Sequence, residues 1–351
     1  MFYKNNYIKR LIMLDVIVVG AGPVGLYAAS LCETMGYKVA VLEEDREIGK
    51  PLKCSGLISR NIRNFFPGIE TWGVIENEID AAVLHSSRSE LALKKAKAAY
   101  VINRMLFDKK IAQLVEAPIK LGCRVRKTNV KNGVVELSTE KGMIKAEMVL
   151  GCDGPNSAVG NFSGGRRMVR GLIAIVKKED RENKVDLFFN KKTLRDGFFW
   201  KIPRGETTEY GAWGKHVNFA DIERFFGIKN YGKFAGLIPV RPVKKSYAER
   251  LLLVGGSAGQ NKPWSGGGVV YGLTCAAIAA KIVEKAFRFN DFSEDILKEY
   301  ESAWKKKIGR QIRLGIAFRK FLEASNDFQF DLAFSAGRLF NYKWMDMDFI
   351  V

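Results

Sequence analysis

The chain has 351 residues, and its 47% hydrophobic and 27% charged content is typical of a soluble globular protein with ample material for a core. Its 57 basic and 38 acidic residues give a formal net charge of +19, which favours nucleic acid, a phosphorylated ligand or an anionic membrane surface as partner, or reflects a lysine-rich solvated surface. No nucleic-acid motif accompanies this charge, and no run of about 18 apolar residues predicts a transmembrane helix.

Cysteine usage gives no sign of a metal or a disulfide framework. The five cysteines are odd in number and scattered, and none forms a C-x-x-C pair. This pattern predicts no bound metal and a reducing, cytoplasmic location. Residues 1–14 lack the apolar core and the cleavage site of a signal peptide, so we expect an extension ahead of the first strand.

The first motif begins at residue 15. Residues 15–19 form an apolar, β-branched run typical of a buried parallel strand, and they lead directly into Gly20-x-Gly22-x-x-Gly25. A helical segment and a second strand follow, and that strand ends in Glu43, about 20 residues after the glycines begin. In such a unit the glycines permit a tight turn, the approach of a pyrophosphate and close helix packing, and the acid holds a ribose. The order predicts a Rossmann-type dinucleotide site.

The next segments alternate between short helices and strands. We expect a short helix at 57–66, a hairpin at 79–93, a strand at 100–102 and a helix after Asn103. Strands at 125–130 and 134–137 flank an Asn-Gly turn, and a buried strand at 148–152 ends at Asp153-Gly154. Because two Rossmann-like strands end in this way, we expect their ends to converge on one ligand.

The remainder of the chain changes character twice. Residues 170–214 read as successive antiparallel strands rich in aromatic residues, which predicts either a wall of a large apolar pocket or an ordinary packed β core. The Rossmann-type pattern of the first segment then returns, with a buried strand at 251–255, a glycine-rich loop and a helix of small residues from 269. From residue 293 a helical pattern mixes aromatic and basic residues, so this tail either caps the pocket or contacts lipid.

Three blocks carry a family resemblance: the first glycine motif, Cys152-Asp153-Gly154, and residues 254–268. Over about residues 14–290 they resemble the flavoprotein superfamily with a para-hydroxybenzoate-hydroxylase-like fold, and within it the geranylgeranyl reductase branch. The resemblance implies FAD as cofactor. The residues that it implies in FAD binding are Gly20, Gly22, Pro23, Gly25, Glu43, Glu44, Cys54, Arg104, Asp153, Gly154, Gly255, Gly256, Gly266, Gly267 and Gly268.

Two further segments favour the reductase branch. Lys53-Cys54-Ser55-Gly56 matches the branch's Cys-x-Gly loop, which implies that Cys54 faces flavin and substrate and acts in catalysis by aligning the substrate or relaying a proton. The alternative is a small buried hydrophobe. The segment from Phe198 to Pro203 resembles the branch's Tyr-x-Trp-x-Phe-Pro motif, and also the Trp-x-Trp-x-Ile-Pro signature of flavin-dependent halogenases. The implied substrate-binding residues are Phe198, Trp200, Pro203 and Trp264.

One position departs from the superfamily pattern. The family has aspartate where this chain has Gly256, and that aspartate grips a hydroxyl of the ribityl chain. The missing charge-assisted hydrogen bond is worth about 1.5–3 kcal/mol. We therefore expect weaker FAD binding, or compensation by a neighbour such as Ser257.

The resemblance implies an α/β fold: a Rossmann-like FAD-binding domain with an inserted, mainly antiparallel substrate domain and a helical C-terminal tail. We expect the FAD-binding domain to comprise residues 1–78, 99–165 and 246–290, the substrate domain 79–98 and 166–245, and the tail 291–351.

The implied activity is FAD-dependent reduction of C=C bonds in geranylgeranyl chains, on an archaeal-type prenyl glycerophospholipid or on geranylgeranyl diphosphate. The alternatives are a flavin-dependent monooxygenase or halogenase, and a flavin-binding protein without turnover. The expected partners are a polyprenyl lipid substrate, NAD(P)H or ferredoxin as electron donor, and an anionic membrane surface contacted peripherally; no nucleic acid is expected.

Overall fold

The computed structural model describes residues 13–164, 167–340 and 347–348, so most of the predicted N-terminal extension lies outside the described residues. In chain order its strands are β1 (Leu14–Val19), β2 (Val39–Leu42), β3 (Leu57–Ser59), β4 (Ile75–His85), β5 (Glu90–Ile102), β6 (Ile119–Lys120), β7 (Val125–Lys131), β8 (Val134–Thr139), β9 (Gly142–Gly151), β10 (Met168–Val176), β11 (Lys184–Phe188), β12 (Phe198–Pro203), β13 (Thr208–Gly214), β14 (Gly232–Pro239), β15 (Tyr247–Ala248) and β16 (Leu251–Leu253). The α-helices are α1 (Pro23–Thr34), α2 (Arg104–Ala112), α3 (Phe219–Phe226), α4 (Val269–Phe289), α5 (Glu294–Ala324) and α6 (Asp327–Gly337).

The first sheet is the Rossmann-like one. Its order is β15-β16-β9-β1-β2-β6, with β8 on β9 and β7 on β8, and the pairs from β16 to β6 are parallel. The central strand β1 lies between β2 and β9, and its residues from Val16 onward are buried. Helices α1 and α4 pack closely against each other at Gly272 of α4. A Cβ there would stand only 2.4 Å from Val24 Cγ2 of α1, so the close approach depends on glycine.

The second sheet contains the aromatic strands. Its order is β14-β10-β13-β12-β11-β4-β5-β3, and each neighbouring pair is antiparallel except β11 with β4. The strands that precede β6–β9 in the chain (β3–β5) and the strands that follow them (β10–β14) thus belong to one sheet. Helix α3 and strand β14 complete this region, and neither was predicted from the sequence.

One predicted element is wrong in type. The helix expected at 57–66 is instead strand β3 followed by a short 3-10 helix, Arg60–Asn64. Leu57 and Ile58 pair with Val101 and Tyr100 of β5, and this sheet pairing outweighs the local helical pattern. The separate strand expected at 100–102 is the end of the long strand β5.

The helical C-terminal region packs on both sheets. Helix α5 packs on α4, and α6 lies against β5. Phe330 of α6 stacks on Phe189 with ring centroids 5.1 Å apart. These observations confirm the expected fold class: a Rossmann-like α/β unit, a mainly antiparallel sheet and C-terminal helices. The residue boundaries assigned to the domains stay a prediction.

Candidate active site

The glycine motif forms a tight turn between β1 and α1. Gly20 has φ of +103°, and a Cβ there would stand 2.4 Å from the carbonyl oxygen of Cys152. A Cβ on Gly25 would stand 2.0 Å from Gly20 O, whereas one on Gly22 would meet nothing within 4 Å. Gly20 and Gly25 are therefore required by packing, and Gly22 leaves an open face beside the uncapped N-terminus of α1.

Glu43 ties this turn to the end of β2. Its carboxylate accepts hydrogen bonds from the backbone N–H groups of Ala21 (2.6 Å) and Asp45 (2.9 Å). Burial raises the pKa of Glu43, while these two donors act in the opposite direction. The neighbouring Glu44 is exposed and pairs with Arg124 at 3.2 Å, and both carboxylates line the same cavity.

The end of β9 lies directly beside the glycine turn, as expected for converging strands. The Cys152 N–H donates to Val19 O at 2.8 Å. Asp153 Oδ2 accepts from the N–H groups of Ala158 (2.7 Å) and Val159 (3.2 Å), but its buried Oδ1 has no hydrogen-bond partner among the described residues. Burial raises the pKa of Asp153. An unpaired buried acceptor is costly unless a ligand satisfies it, so this atom fits a hydroxyl or amide of a bound dinucleotide.

The third glycine block closes this end of the cavity. Gly255 has φ of +71° and packs against Val24, while Gly256 lines the cavity. Ser257, the expected substitute for the missing aspartate, is fully buried. Its hydroxyl accepts from the Val254 N–H and has two carbonyl oxygens, Val254 O (2.9 Å) and Gly151 O, as alternative acceptors for its one proton, so it does not face the cavity. In this position Ser257 does not replace the missing aspartate.

The Cys54 loop docks on the ends of β5 and α2. Gly56 has φ of +77°, and its carbonyl oxygen accepts from the Ile102 N–H at 3.0 Å. Arg104 donates to both oxygens of Asp108 at 3.0 Å. Burial alone would lower the pKa of Arg104, but Asp108 and the Cys54 sulfur beside it raise the value above its usual range. A fixed guanidinium thus stands next to the partly exposed Cys54 thiol.

The aromatic wall is formed mainly by β12. Phe198 and Trp200 line the cavity, and the indole Nε1–H of Trp200 donates to Glu209 at 2.9 Å. A Cβ on Gly211 would stand 2.1 Å from the Trp200 ring, so the missing side chain makes room for the indole. Pro203 is buried at the end of β12 and does not line the cavity.

A buried ionic network connects this wall to the Cys54 loop, and sequence reasoning missed it. Arg204 pairs with Glu209 at 2.8 Å and with Glu76 at 2.6 Å, and it also donates to the carbonyl oxygen of Ser55. Glu209 is fully buried, and this burial raises its pKa to about 7 although Arg204 and Trp200 oppose the shift. The sequence offered one sign of this network: Arg204 directly follows the aromatic strand β12, and Glu209 lies on β13, the strand that pairs with it.

A second missed contact involves the C-terminal segment. Asp348 Oδ1 pairs with Lys262 Nζ at 2.9 Å, and Asp348 Oδ2 accepts from Asn61 Nδ2 (3.1 Å) and from the Ser59 hydroxyl. Both members of the ion pair are buried. Met347 lines the cavity next to this pair, so residues 347–348 contribute to the site although they are distant from its other residues in sequence.

These elements surround one cavity of about 2280 Å³. Ligand sites usually measure about 300–1,000 Å³, so there is room for a dinucleotide and a second, apolar ligand. Gly25 and Gly255 do not line the cavity; Gly25 packs against Gly20 and Gly255 against Val24. The predicted site residues that line the cavity are Gly20, Gly22, Pro23, Glu43, Glu44, Cys54, Arg104, Asp153, Gly154, Phe198, Trp200, Gly256, Trp264, Gly266, Gly267 and Gly268.

Within the described ranges 13–164, 167–340 and 347–348 the structure offers neither a metal site nor a membrane-spanning helix. No cluster of three or more His, Cys, Asp or Glu side chains there is arranged to hold a metal ion. None of the helices within those ranges combines the length and the apolar character needed to cross a membrane.

Comparison with known proteins agrees with this geometry. Residues 18–53 match the family model of the NAD(P)-binding Rossmann-like domain. A digeranylgeranylglycerophospholipid reductase of Methanocaldococcus jannaschii is 29% identical, covering 90% of this chain and 88% of the relative. A digeranylgeranylglycerophospholipid reductase of Methanococcoides burtonii is 26% identical over 96% of this chain and 90% of its own. The resemblance to the geranylgeranyl reductase family is confirmed.

Solved structures show the same fold. A geranylgeranyl bacteriochlorophyll reductase-like protein of Thermoplasma acidophilum superimposes with a TM-score of 0.86 at 22% identity, covering 95% of this chain and 94% of the other. A flavin-dependent halogenase reaches a TM-score of 0.70 at 14% identity, covering 91% of this chain and 67% of its own. The fold thus matches the geranylgeranyl reductase-like protein more closely than the halogenase.

Proposed function

We propose that this protein is an FAD-dependent oxidoreductase that reduces C=C bonds of geranylgeranyl chains carried by a prenyl glycerophospholipid or a prenyl diphosphate. One observation carries the proposal: the glycine loops, Cys54 and the apolar aromatic wall all line a single large cavity. The similarity to digeranylgeranylglycerophospholipid reductases supports the same activity.

The residues present fit FAD. Gly22 and the uncapped start of α1 would receive the pyrophosphate, Glu43 the ribose, and Asp153 Oδ1 a further polar atom. Gly266, Gly267 and Gly268, at the start of α4, would lie against the flavin. When bound and reduced, FAD supplies the hydride that adds to one alkene carbon.

The protein must deliver a proton to the other carbon and exclude water. Cys54 is the group proposed to hold or move that proton, and two contacts keep it in place: Arg104 beside the thiol and Arg204 on the carbonyl oxygen of Ser55. Phe198 and Trp200 provide an apolar surface for an alkene that offers no polar handle. Trp264, packed on Gly315 of α5, closes the wall near the glycine loop.

The proposed partners follow from charge and exposed apolar groups. The net charge of +19 favours anionic lipid headgroups. Phe328 and Leu332 of α6 are exposed, which supports peripheral contact of a cytoplasmic protein with a membrane surface. The proposed electron donor is NAD(P)H or ferredoxin.

The test begins with the visible spectrum of the purified protein, which should show bound flavin. The protein is then reduced without oxygen and incubated with a geranylgeranyl phospholipid or geranylgeranyl diphosphate, and the lipid is analysed by mass spectrometry. A gain of two hydrogen atoms per reduced bond is expected. Oxygen consumption with an oxygenated or halogenated product would support the monooxygenase or halogenase alternative instead, and bound flavin without turnover of any prenyl substrate would support a binding protein.

A further inference from the structure

Helix α5 presents a stripe of two chemical types to the cavity. Among the α5 residues that line the cavity, those toward the start of the helix include three basic ones and those toward its end three apolar ones; Ala303, Gln311 and Gly315 line it as well. Spacings of four residues connect Lys306, Arg310 and the three apolar residues into a row that winds along the helix, with Lys307 beside it. From Lys306 to Leu322 the stripe is about 24 Å long at 1.5 Å per residue. The stripe consists of Lys306, Lys307, Arg310, Leu314, Phe318 and Leu322.

The basic half of the stripe has no acidic partner within the described ranges of the chain. Three other cations of α5 pair with carboxylates of the same helix: Lys298 with Asp295 at 2.7 Å, Lys305 with Glu301 at 2.5 Å and Arg319 with Glu323 at 2.8 Å. Arg313 and Lys320 have no ion pair among the described residues, but neither of them lines the cavity. Among the residues that the structure describes, no ion pair involves Lys306, Lys307 or Arg310, and α5 contributes no carboxylate to the cavity lining. Three adjacent uncompensated cations at a cavity wall create a field that attracts an anion.

The ligand chemistry follows from the order of the two halves. A phosphate group can accept hydrogen bonds from all three cations, and a guanidinium such as that of Arg310 can bind it through two N–H groups. The apolar half continues along the same wall and suits a hydrocarbon chain attached to that phosphate. The FAD pyrophosphate has its own proposed position, at Gly22 and the start of α1.

We propose that Lys306, Lys307 and Arg310 form a subsite for the phosphate group of the prenyl substrate, whose chain then lies along Leu314, Phe318 and Leu322. The substrate class rests on the proposed function; the subsite itself rests on the geometry of α5. It would orient the lipid with its headgroup at one end of the stripe.

The test compares two ligands that share one chain, geranylgeranyl diphosphate and uncharged geranylgeraniol. Their binding to the FAD-loaded protein is measured by calorimetry in detergent. In the variant Lys306→Gln/Lys307→Gln/Arg310→Gln, diphosphate binding should weaken about 10- to 100-fold, because several charge-assisted hydrogen bonds are lost. Binding of the alcohol should change less than about twofold, since its contacts are apolar.

The matched control removes the same charge elsewhere. Lys110→Gln/Lys120→Gln/Lys281→Gln changes three exposed cations that lie outside the cavity, and both ligands should bind it as they bind the unchanged protein. Equal loss in both variants would overturn the subsite, because net charge alone would then explain the effect. Circular dichroism melting curves establish that each variant is folded.

Three other results would also overturn it. Inorganic diphosphate binding as tightly as the lipid would identify a site for free phosphate. Equal weakening of diphosphate and alcohol would identify a general packing defect. A change confined to co-sedimentation with anionic phospholipid vesicles would identify a membrane contact. These binding results do not depend on turnover, so absence of alkene reduction would reject the proposed function and leave the subsite standing.

Discussion

The indole Nε1–H of Trp200 donates to Oε1 of Glu209 at 2.9 Å, so an aromatic side chain of the cavity wall is held by a carboxyl group that is fully buried behind it. Arg204 pairs with the same carboxyl and donates to the carbonyl oxygen of Ser55 in the Cys54 loop. The orientation of the wall and the position of the loop are thereby coupled through one ionisable group.

The first prediction concerns Glu209. Its pKa in the folded protein is about 7, above the ordinary value of 4.5, so the folded state binds this proton more tightly. The stability contributed by that proton is present below about pH 4.5 and is lost as the pH rises through about 7. Relative to Glu209→Gln, the unchanged protein should lose roughly 1–3 kcal/mol of unfolding free energy across this range.

Urea unfolding at several pH values measures that difference. Trp200→Phe provides the companion measurement, because loss of the indole donor raises the pKa of Glu209 further and should move the transition to higher pH. A free-energy difference between the unchanged protein and Glu209→Gln that stays constant with pH would contradict the assignment.

The second prediction concerns Gly256. A Cβ at this position would stand 3.4 Å from the Gly154 Cα, which is ordinary contact, so a side chain fits. Gly256→Asp should restore the carboxylate of the superfamily and tighten FAD binding about 10- to 100-fold, as expected for a hydrogen bond to a charged group. Titration of the apoprotein with FAD measures the affinity. Gly256→Ala adds the same Cβ without the charge and should leave it unchanged; equal affinities for the Asp and Ala variants would refute the expectation.

The third prediction uses two glycines of α5 as a matched pair. A Cβ on Gly315 would stand 2.2 Å from the ring of Trp264, whereas one on Gly309 would stand 3.5 Å from flexible Lys305 and Arg313 side chains. Gly309→Ala should be neutral or stabilise by up to about 1 kcal/mol through helix propensity. Gly315→Ala should destabilise by about 1–3 kcal/mol because the indole must move. Thermal unfolding compares them, and equal melting temperatures would contradict this packing.

The fourth prediction concerns the buried pair of Lys262 and Asp348. Lys262→Met or Asp348→Asn alone should cost about 3–5 kcal/mol, because one buried charge loses its partner. The double variant should cost clearly less than the sum. The exposed pair of Lys298 and Asp295, with a similar N–O distance of 2.7 Å, is the control and should show a coupling of at most about 1 kcal/mol. Additive losses at Lys262 and Asp348 would mean that the pair does not form.

The fifth prediction concerns Cys54. Cys54→Ala should retain the flavin spectrum, since the glycine loops are untouched, and should lower kcat for alkene reduction about 100-fold or more if the thiol supplies the proton. Cys275→Ala, at a buried cysteine of α4 that does not line the cavity, is the control for thiol loss. Unchanged kcat in Cys54→Ala would assign the proton to another group.

The sequence predicted the parts of the site that depend on local geometry. Gly25 is recognisable because it packs on Gly20 within one turn, and Glu43 follows at the end of the next parallel strand. The contact of Gly20 with Cys152, by contrast, joins two distant parts of the chain. The family resemblance implied the fold class, and the strand patterns agree with it. The buried strands β1, β2 and β9 carry continuous apolar runs, and the aromatic strands alternate with polar connections.

The parts that escaped prediction depend on distant pairing. Residues 57–59 have a helical pattern but pair with β5, because the sheet offers more contacts than an isolated short helix. The pairing of Lys262 with Asp348 joins positions 86 residues apart, and nothing in either local segment indicates it. Ser257 has the right chemistry to replace an aspartate, but only the structure reveals that its hydroxyl is turned inward.

The parallel pairing of β4 with β11 has a consequence for biosynthesis. Strand β4 of the early hairpin pairs with β11, which lies about a hundred residues later in the chain. In the Rossmann-like sheet, β9 pairs with β16, which begins at residue 251. Neither sheet is complete until most of the chain has left the ribosome, and such non-local topologies fold slowly. The β4 edge of the hairpin therefore stays unpaired until β11 has been synthesised, whereas the β5 edge can already pair with the earlier strand β3.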